Sequence, residues 1–249
     1  MKRTLAATAL TFAALAAPAQ AFDLTEMTED ERTAFRAEIR SYLLENPEVI
    51  MEAVAVLEQR QSEQQAAADV DLVRVNADAL FNDGYSWVGG NPDGDVTVVE
   101  FMDYRCGYCR QAHDEVEQLL ETDGNIRFIV KEFPVLGEES VVASRFAIAT
   151  QRVAGDEAYK QVHDTLINFR GDIAPGALTR LAEGLGIDPA PIMDEMDNPE
   201  IDAIIQENRQ LASRLQINGT PSFVFDDQLV RGYVPLAGMM QIVDQVRVD

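Results

Sequence analysis

Val96-Thr-Val-Val-Glu-Phe-Met-Asp-Tyr-Arg-Cys-Gly-Tyr-Cys-Arg-Gln-Ala-His113 is the segment from which the architecture of this 249-residue chain can be worked out. Its opening, Val96 to Met102, is nearly all apolar, broken only by Thr97 and Glu100. A strand covered on both faces reads as such a run, whereas a strand with one wet face alternates. Cys106 and Cys109 follow, three positions apart, and residues 110–121 then place Val116, Leu119 and Leu120 at helical spacing. Residues 126–133 form a second apolar run closed by Pro134. Strand, helix and strand in this order set the cysteines where a buried strand ends and a helix opens.

These are the chain's two cysteines. A disulfide stabilises most when it closes a long loop, so a bridge across two intervening residues is poorly suited to stapling and well suited to redox chemistry. A helix start carries unpaired N–H groups and a partial positive charge, which lower a thiol pKa. Cys106, at the helix start, is expected to be the attacking thiolate and the more exposed of the two. Cys109, deeper in the first turn, is expected to resolve the mixed disulfide. This exchange needs no bound cofactor. Zinc would require a second ligand pair, and only His113 and His163 are available. Cys106, Cys109 and His113 would make a weak three-ligand set, copper included, so no metal is assigned and a copper-handling thiol protein is the alternative reading. Inert buried thiols are a further alternative.

Glu100 stands in an apolar strand six residues before Cys106. Burial raises a carboxyl pKa, so Glu100 is a candidate acceptor for the Cys109 proton during resolution. Its alternative is a partly wet strand edge. His113 lies one helical turn after Cys109 on the same side, placed to tune the thiolate or to be a plain surface residue. Lys131 is a second possible tuner, or a solvated strand-end lysine. His163 carries no assigned role.

Residues 1–21 combine Lys2 and Arg3, an apolar stretch over 5–15, and Ala19-Gln20-Ala21, the pattern of a cleaved signal peptide. The apolar stretch falls short of the ~20 residues of a membrane span. Export to an oxidising compartment, the periplasm, permits thiol–disulfide chemistry. A formal net charge of −23 repels nucleic acid and anionic membrane surfaces. Residues 25–81 read as helical: Thr28 and Glu31 fit a capping box, Phe35, Ile39, Tyr42 and Leu43 share a face, and Asn46-Pro47 restarts the helix as N-cap and first residue. Ile50, Ala53, Val54 and Leu57 continue the apolar stripe, and residues 58–65 are polar all round. Residues 89–95 read as a turn. Residues 138–216 are helical, with breaks at Gly155, 171–175, 184–191 and Asn198-Pro199. A hairpin around Asp226-Asp227 and a helix over 235–248 close the chain.

The segment from Val99 to Cys109 resembles the active-site segment of the DsbA-like branch of the thioredoxin superfamily. Residues 90–95, Lys131-Glu-Phe-Pro-Val-Leu-Gly137 and Gly219-Thr-Pro-Ser-Phe-Val224 agree in order with that family, over about residue 70 to the end. The resemblance implies an α/β thioredoxin fold with an inserted helical domain at about 138–216, within a domain of residues 71–249. It implies a cis bond before Pro221 facing Cys106, and a Thr220 backbone open to an extended substrate strand, as suits unfolded or misfolded exported proteins. A membrane redox partner would reset the pair. Cys-Gly-Tyr-Cys with Thr220 resembles the disulfide isomerases of the DsbC type, and no histidine stands between the cysteines. Residues 22–70 resemble the N-terminal helical region of ScsC proteins, which in some relatives oligomerises the enzyme. Phe35, Ile39, Tyr42, Ile50, Val54 and Leu57 would then be the face joining a homo-oligomer, the alternative being packing within one chain.

Overall fold

The computed structural model describes residues 27–248. The expected signal peptide, residues 1–21, lies outside them. The chain divides into two compact units between Gln59 and Arg60.

In the first unit, α1 (Glu29–Glu45) starts on a reciprocal capping box. The Glu31 N–H donates to Thr28 Oγ1 at 3.4 Å, and the Thr28 N–H donates to Glu31 Oε2 at 2.8 Å. The helix ends differently from the expectation. Asn46 closes α1 with its side chain, which does not cap the next helix: its N–H (2.8 Å) and its Nδ2 (2.9 Å) both donate to the Tyr42 carbonyl, while its own carbonyl accepts from the Val49 N–H at 3.2 Å where the next helix starts. Carbonyls of a last helical turn lack partners within the helix, and the Asn46 amide reaches back to one. Pro47 then leads into α2 (Glu48–Val75), within which the division between the units falls. No residue of α1 is buried. The stripe runs from 40% exposed at Phe35 to 55% at Leu57.

In the second unit the order is α3 (Ala77–Phe81), β1 (Trp87–Gly90), β2 (Val96–Met102), α4 (Gly107–Asp123), β3 (Ile126–Glu132), α5 (Glu138–Ala154), α6 (Asp156–Asn168), α7 (Pro175–Gly184), α8 (Pro189–Glu195), α9 (Pro199–Arg214), β4 (Ser222–Phe225), β5 (Gln228–Arg231) and α10 (Leu236–Val246). The strands form one sheet in the order β1-β3-β2-β4-β5, with β2 and β3 parallel and the other neighbours antiparallel. β2 is therefore central. Its side chains alternate between two buried faces. Val96, Val98 and Met102 join Phe128 and Val130 in a core closed by α4, α10 and helices α5–α9. Val99, Phe101 and Ile129 face the other way, onto Val73, Leu80, Leu211 and Leu215. Two covered faces explain the unbroken apolar run. This is the thioredoxin fold, with the five helices α5–α9 inserted between β3 and β4 and an N-terminal helical extension before it.

Two departures from the sequence reading concern element ends. α4 begins at Gly107, ahead of the apolar rhythm that starts at 110. Residues 89–95 are not all turn, since Gly89 and Gly90 complete β1. Glycine is depleted in strands, but here it is sterically required. A Cβ on Gly90, at φ +66°, would lie 2.4 Å from the Ile126 carbonyl oxygen, and one on Gly89 would lie 2.0 Å from the Trp87 ring. Among the described residues no helix is long and apolar enough to cross a membrane.

Candidate active site

Cys106 is the N-cap of α4, in extended conformation (φ −77°, ψ 121°), and its Sγ accepts a hydrogen bond from the Cys109 N–H at 3.3 Å. An N-cap side chain normally offers oxygen to the orphan N–H groups of the first turn; here sulfur does so. The backbone leading in is fixed by Asp103, whose carbonyl accepts from the Cys106 N–H at 3.0 Å. Its carboxylate accepts from the N–H groups of Arg105 (2.7 Å), Val135 (2.8 Å) and Leu136 (3.0 Å). Across the sheet end, the Thr220–Pro221 bond is cis and the Thr220 carbonyl oxygen lies 3.2 Å from Cys106 Sγ. Cys106, Cys109, Thr220 and Pro221 therefore meet at one place.

Both thiols are free; Cys106 is 6% exposed and Cys109 1%. Their acidities are driven apart. The Cys109 side chain hydrogen-bonds to Cys106 and, with Thr220 and the N–H groups of Cys109 and Tyr108, outweighs burial to bring Cys106 down to about 5. Burial pushes Cys109 far up, helped by its hydrogen bond to Cys106 and by the charges of Glu100 and Cys106. At neutral pH the pair is thus one thiolate beside one thiol.

Glu100 lies on the α4-facing side of β2, opposite Val130 on one flank and Phe223 on the other, and is 4% exposed. The central position of β2 overturns the wet-edge reading. Burial first, then the charges of Cys106 and Glu117, raise the Glu100 carboxyl to about 8. Its charge also acts on Cys109, so the three groups form one electrostatic unit.

Two further candidates are not brought to the cysteines. Lys131 is fully buried, not solvated, and it lies on the opposite face of the sheet from Val130 and Glu100, as strand alternation requires. Its Nζ donates to the Ala79 carbonyl at 2.8 Å and pairs with Asp83 at 2.5 Å. Burial lowers its pKa against the pull of Asp83. His113 is buried and directed at α6: its Nε2 is 3.3 Å from Asp164 Oδ1, and its ring centroid is 5.4 Å from that of His163. The weak three-ligand set of Cys106, Cys109 and His113, weighed above only as an alternative, is not gathered among the described residues. The group whose ligand atoms gather, among the described residues, is His113, His163 and Asp164.

Sequence reasoning missed the buried network behind the site. Glu132 Oε1 accepts from the hydroxyls of Tyr104 and Tyr159, both at 2.7 Å, and Oε2 accepts from Ser144 at 2.7 Å. Burial raises Glu132 to about 7 although these three bonds favour its charge. Tyr104 Oη is also 3.1 Å from His163 Nδ1. His163, given no role above, is buried, and burial holds its imidazole well below the usual pKa. The one legible signal was Glu132 itself, an acid in an apolar strand; its partners lie 12 to 28 positions away in sequence.

Two thiols of opposed acidity at a helix mouth, a cis-proline loop against the sulfur and a buried acid beneath them place the chain in a class by fold and site: the family of thiol–disulfide oxidoreductases built on the thioredoxin fold. The chain belongs to the thioredoxin family, whose model matches residues 82–245, and the model of the copper resistance protein ScsC N-terminal domain matches residues 31–64. A thioredoxin-like oxidoreductase from Silicibacter pomeroyi is 42% identical, with a TM-score of 0.65 over 70% of this chain and 99% of that one. The thiol-disulfide exchange protein alpha-DsbA2 from Wolbachia pipientis is 25% identical, with a TM-score of 0.68 over 74% and 98%. Among curated proteins, the Na(+)/H(+) antiporter NhaA 1 of Salinispora arenicola is 31% identical over 137 residues, 55% of this chain and 21% of that one. This chain thus spans about a fifth of the length of that relative.

Proposed function

We propose that this protein is an exported, periplasmic enzyme that exchanges disulfides in unfolded or misfolded protein substrates, with isomerisation as its main outcome and oxidation as the other. The observation that carries the reading is the Cys106 sulfur at the N-cap of α4, 3.2 Å from the Thr220 carbonyl. An extended substrate segment pairs with the Thr220 backbone and brings its disulfide to Cys106, so recognition uses main-chain groups and tolerates many sequences. The Cys106 thiolate attacks one substrate sulfur; a mixed disulfide forms, and the other substrate sulfur leaves as a thiolate. In isomerisation that thiolate attacks a second substrate disulfide, and the new substrate thiolate finally displaces Cys106. If instead Cys109 loses its proton to Glu100 and attacks Cys106 Sγ, the Cys106–Cys109 disulfide forms and the substrate is released reduced. Oxidation is the reverse: a substrate thiolate attacks Cys106 Sγ of the oxidised pair, Cys109 leaves and takes up a proton, and a second substrate thiolate displaces Cys106 to form the substrate disulfide. A membrane redox partner then sets the resting state of the pair.

Export is supported by the three-part pattern of residues 1–21. Isomerisation is supported by Cys-Gly-Tyr-Cys with Thr220 and by the exposed stripe of α1 and α2, which we assign as the contact joining several chains and so several active sites. Reactivation of scrambled ribonuclease, read beside insulin reduction and the reduction potential of the pair, tests this. Turnover of scrambled substrate is expected, and Cys106→Ser should abolish it. Turnover that survives that substitution rejects the assignment, and insulin reduction without reactivation rejects isomerisation.

A further inference from the structure

His113 on α4 and His163 and Asp164 on α6 are not used by the exchange reaction, yet each presents one ligand atom and all three lie within 4.8 Å of one another. We propose that they form a binding site for a borderline divalent cation of the Zn2+ type, distinct from the cysteine pair. Two imidazoles and one carboxylate are the donor set of a three-ligand zinc site whose fourth position is left to water. Bonds of about 2.0–2.1 Å in a tetrahedron put neighbouring ligand atoms about 3.4 Å apart. His113 Nε2 and Asp164 Oδ1 are already 3.3 Å apart. The remaining gaps in the group, none above 4.8 Å, close with side-chain movements of at most about 1.5 Å.

The surroundings orient the histidine. The Tyr104 hydroxyl has one proton, which goes to Glu132 Oε1 at 2.7 Å, so the 3.1 Å contact with His163 is donated by Nδ1. That leaves Nε2 as the nitrogen with a free electron pair. Ligating histidines characteristically donate their other N–H in this way, which fixes tautomer and ring plane. Stacking on Tyr159, at 5.7 Å and 19°, and edge contact with Tyr104 hold the His163 ring in place. The Asp164 side chain, 38% exposed, gives the ion access from solvent. Lys160 now pairs with Asp164 at 2.6 Å, but it also lies 3.2 Å from Glu117, so it keeps an anionic partner when Asp164 turns to the metal. Displacing Lys160 moderates the affinity. Magnesium and calcium prefer all-oxygen cages and should not compete.

The test uses the full, tag-free chain with Cys106 and Cys109 oxidised to their disulfide, so that thiolates cannot bind the ion. Zinc chloride is titrated calorimetrically, and the two imidazoles, the chain's only histidines, are followed by nitrogen-15 NMR. One ion per chain is expected, with both rings shifting. Asp164→Asn and His113→Ala should each weaken binding about tenfold or more. Magnesium chloride should shift neither ring. Should either variant fail to fold, the ring shifts of the unsubstituted chain decide. Binding no tighter than about 1 mM, or binding that leaves both rings unshifted and survives the substitutions, overturns the proposal.

Discussion

At the scale of single residues, the chemistry turns on three groups whose acidities are set by position. The Cys106 titration, followed by thiolate absorbance or alkylation rate, should have its midpoint near pH 5. Cys109→Ala should raise that midpoint, since the Cys109 hydrogen bond is the largest cause of the depression. The sign carries over to stability. A depressed thiol pKa stabilises the reduced fold fully above the unfolded value near 9, and this contribution is lost as pH falls through about 5. Glu100 has the opposite sign: its carboxyl, raised from 4.5 to about 8, favours the fold at low pH, and that contribution is lost as pH rises through this interval. Glu100→Gln should therefore gain stability over wild type between pH 4.5 and 8, by up to ~1.4 kcal/mol per pH unit, in urea unfolding of the reduced protein. The same variant should slow resolution of a trapped mixed disulfide on the order of a hundredfold; unchanged kinetics would remove Glu100 from the mechanism. Both cysteines and Glu100 were legible because each breaks a local pattern. Tyr104 and His163 were not, and Glu132 was legible only as an acid in an apolar strand, because the groups that partner them become neighbours only when β2 and β3 register and α5 and α6 dock on the sheet.

At the scale of elements, β2 and α4 place the site and the rest of the sheet holds them. Lys131 shows why strand alternation matters: one residue after Val130, it faces the other core and cannot reach the cysteines. Its pairing with Asp83 makes it structural. Asp83→Ala should cost about 3–5 kcal/mol in urea unfolding, because it strands a buried ammonium without its partner. Lys131→Met combined with Asp83→Ala should recover most of that loss, while the Cys106 titration midpoint stays unmoved in both. A shift of that midpoint would return Lys131 to the site. Element ends were the least legible part. β1 hides behind two glycines that steric contact demands, and Asn46-Pro47 reads as a capped helix start although the Asn46 side chain serves the helix before it.

At the scale of the whole molecule, the unburied α1 and the exposed apolar stripe set the proposed assembly apart from the catalytic fold. The mature chain should sediment as an oligomer, and Ile39→Asp with Val54→Asp in the full chain should give monomers that still reduce insulin but reactivate scrambled ribonuclease poorly. A wild-type monomer would defeat this assignment. The sequence by itself determined the strand–helix–strand frame, the buried central strand, the helical insertion with its Gly and Pro breaks, and the cysteine pair at a helix mouth. All of these follow from short-range patterns: hydrophobic period, capping residues and three-residue spacing. Only the tertiary structure decided which face Lys131 takes, that Glu100 sits between two neighbouring strands, and that Glu132, Tyr104, Tyr159 and the two histidines converge behind the site. Those outcomes depend on how strands register and helices dock, and a buried polar group finds its partner in space wherever the chain happens to bring one.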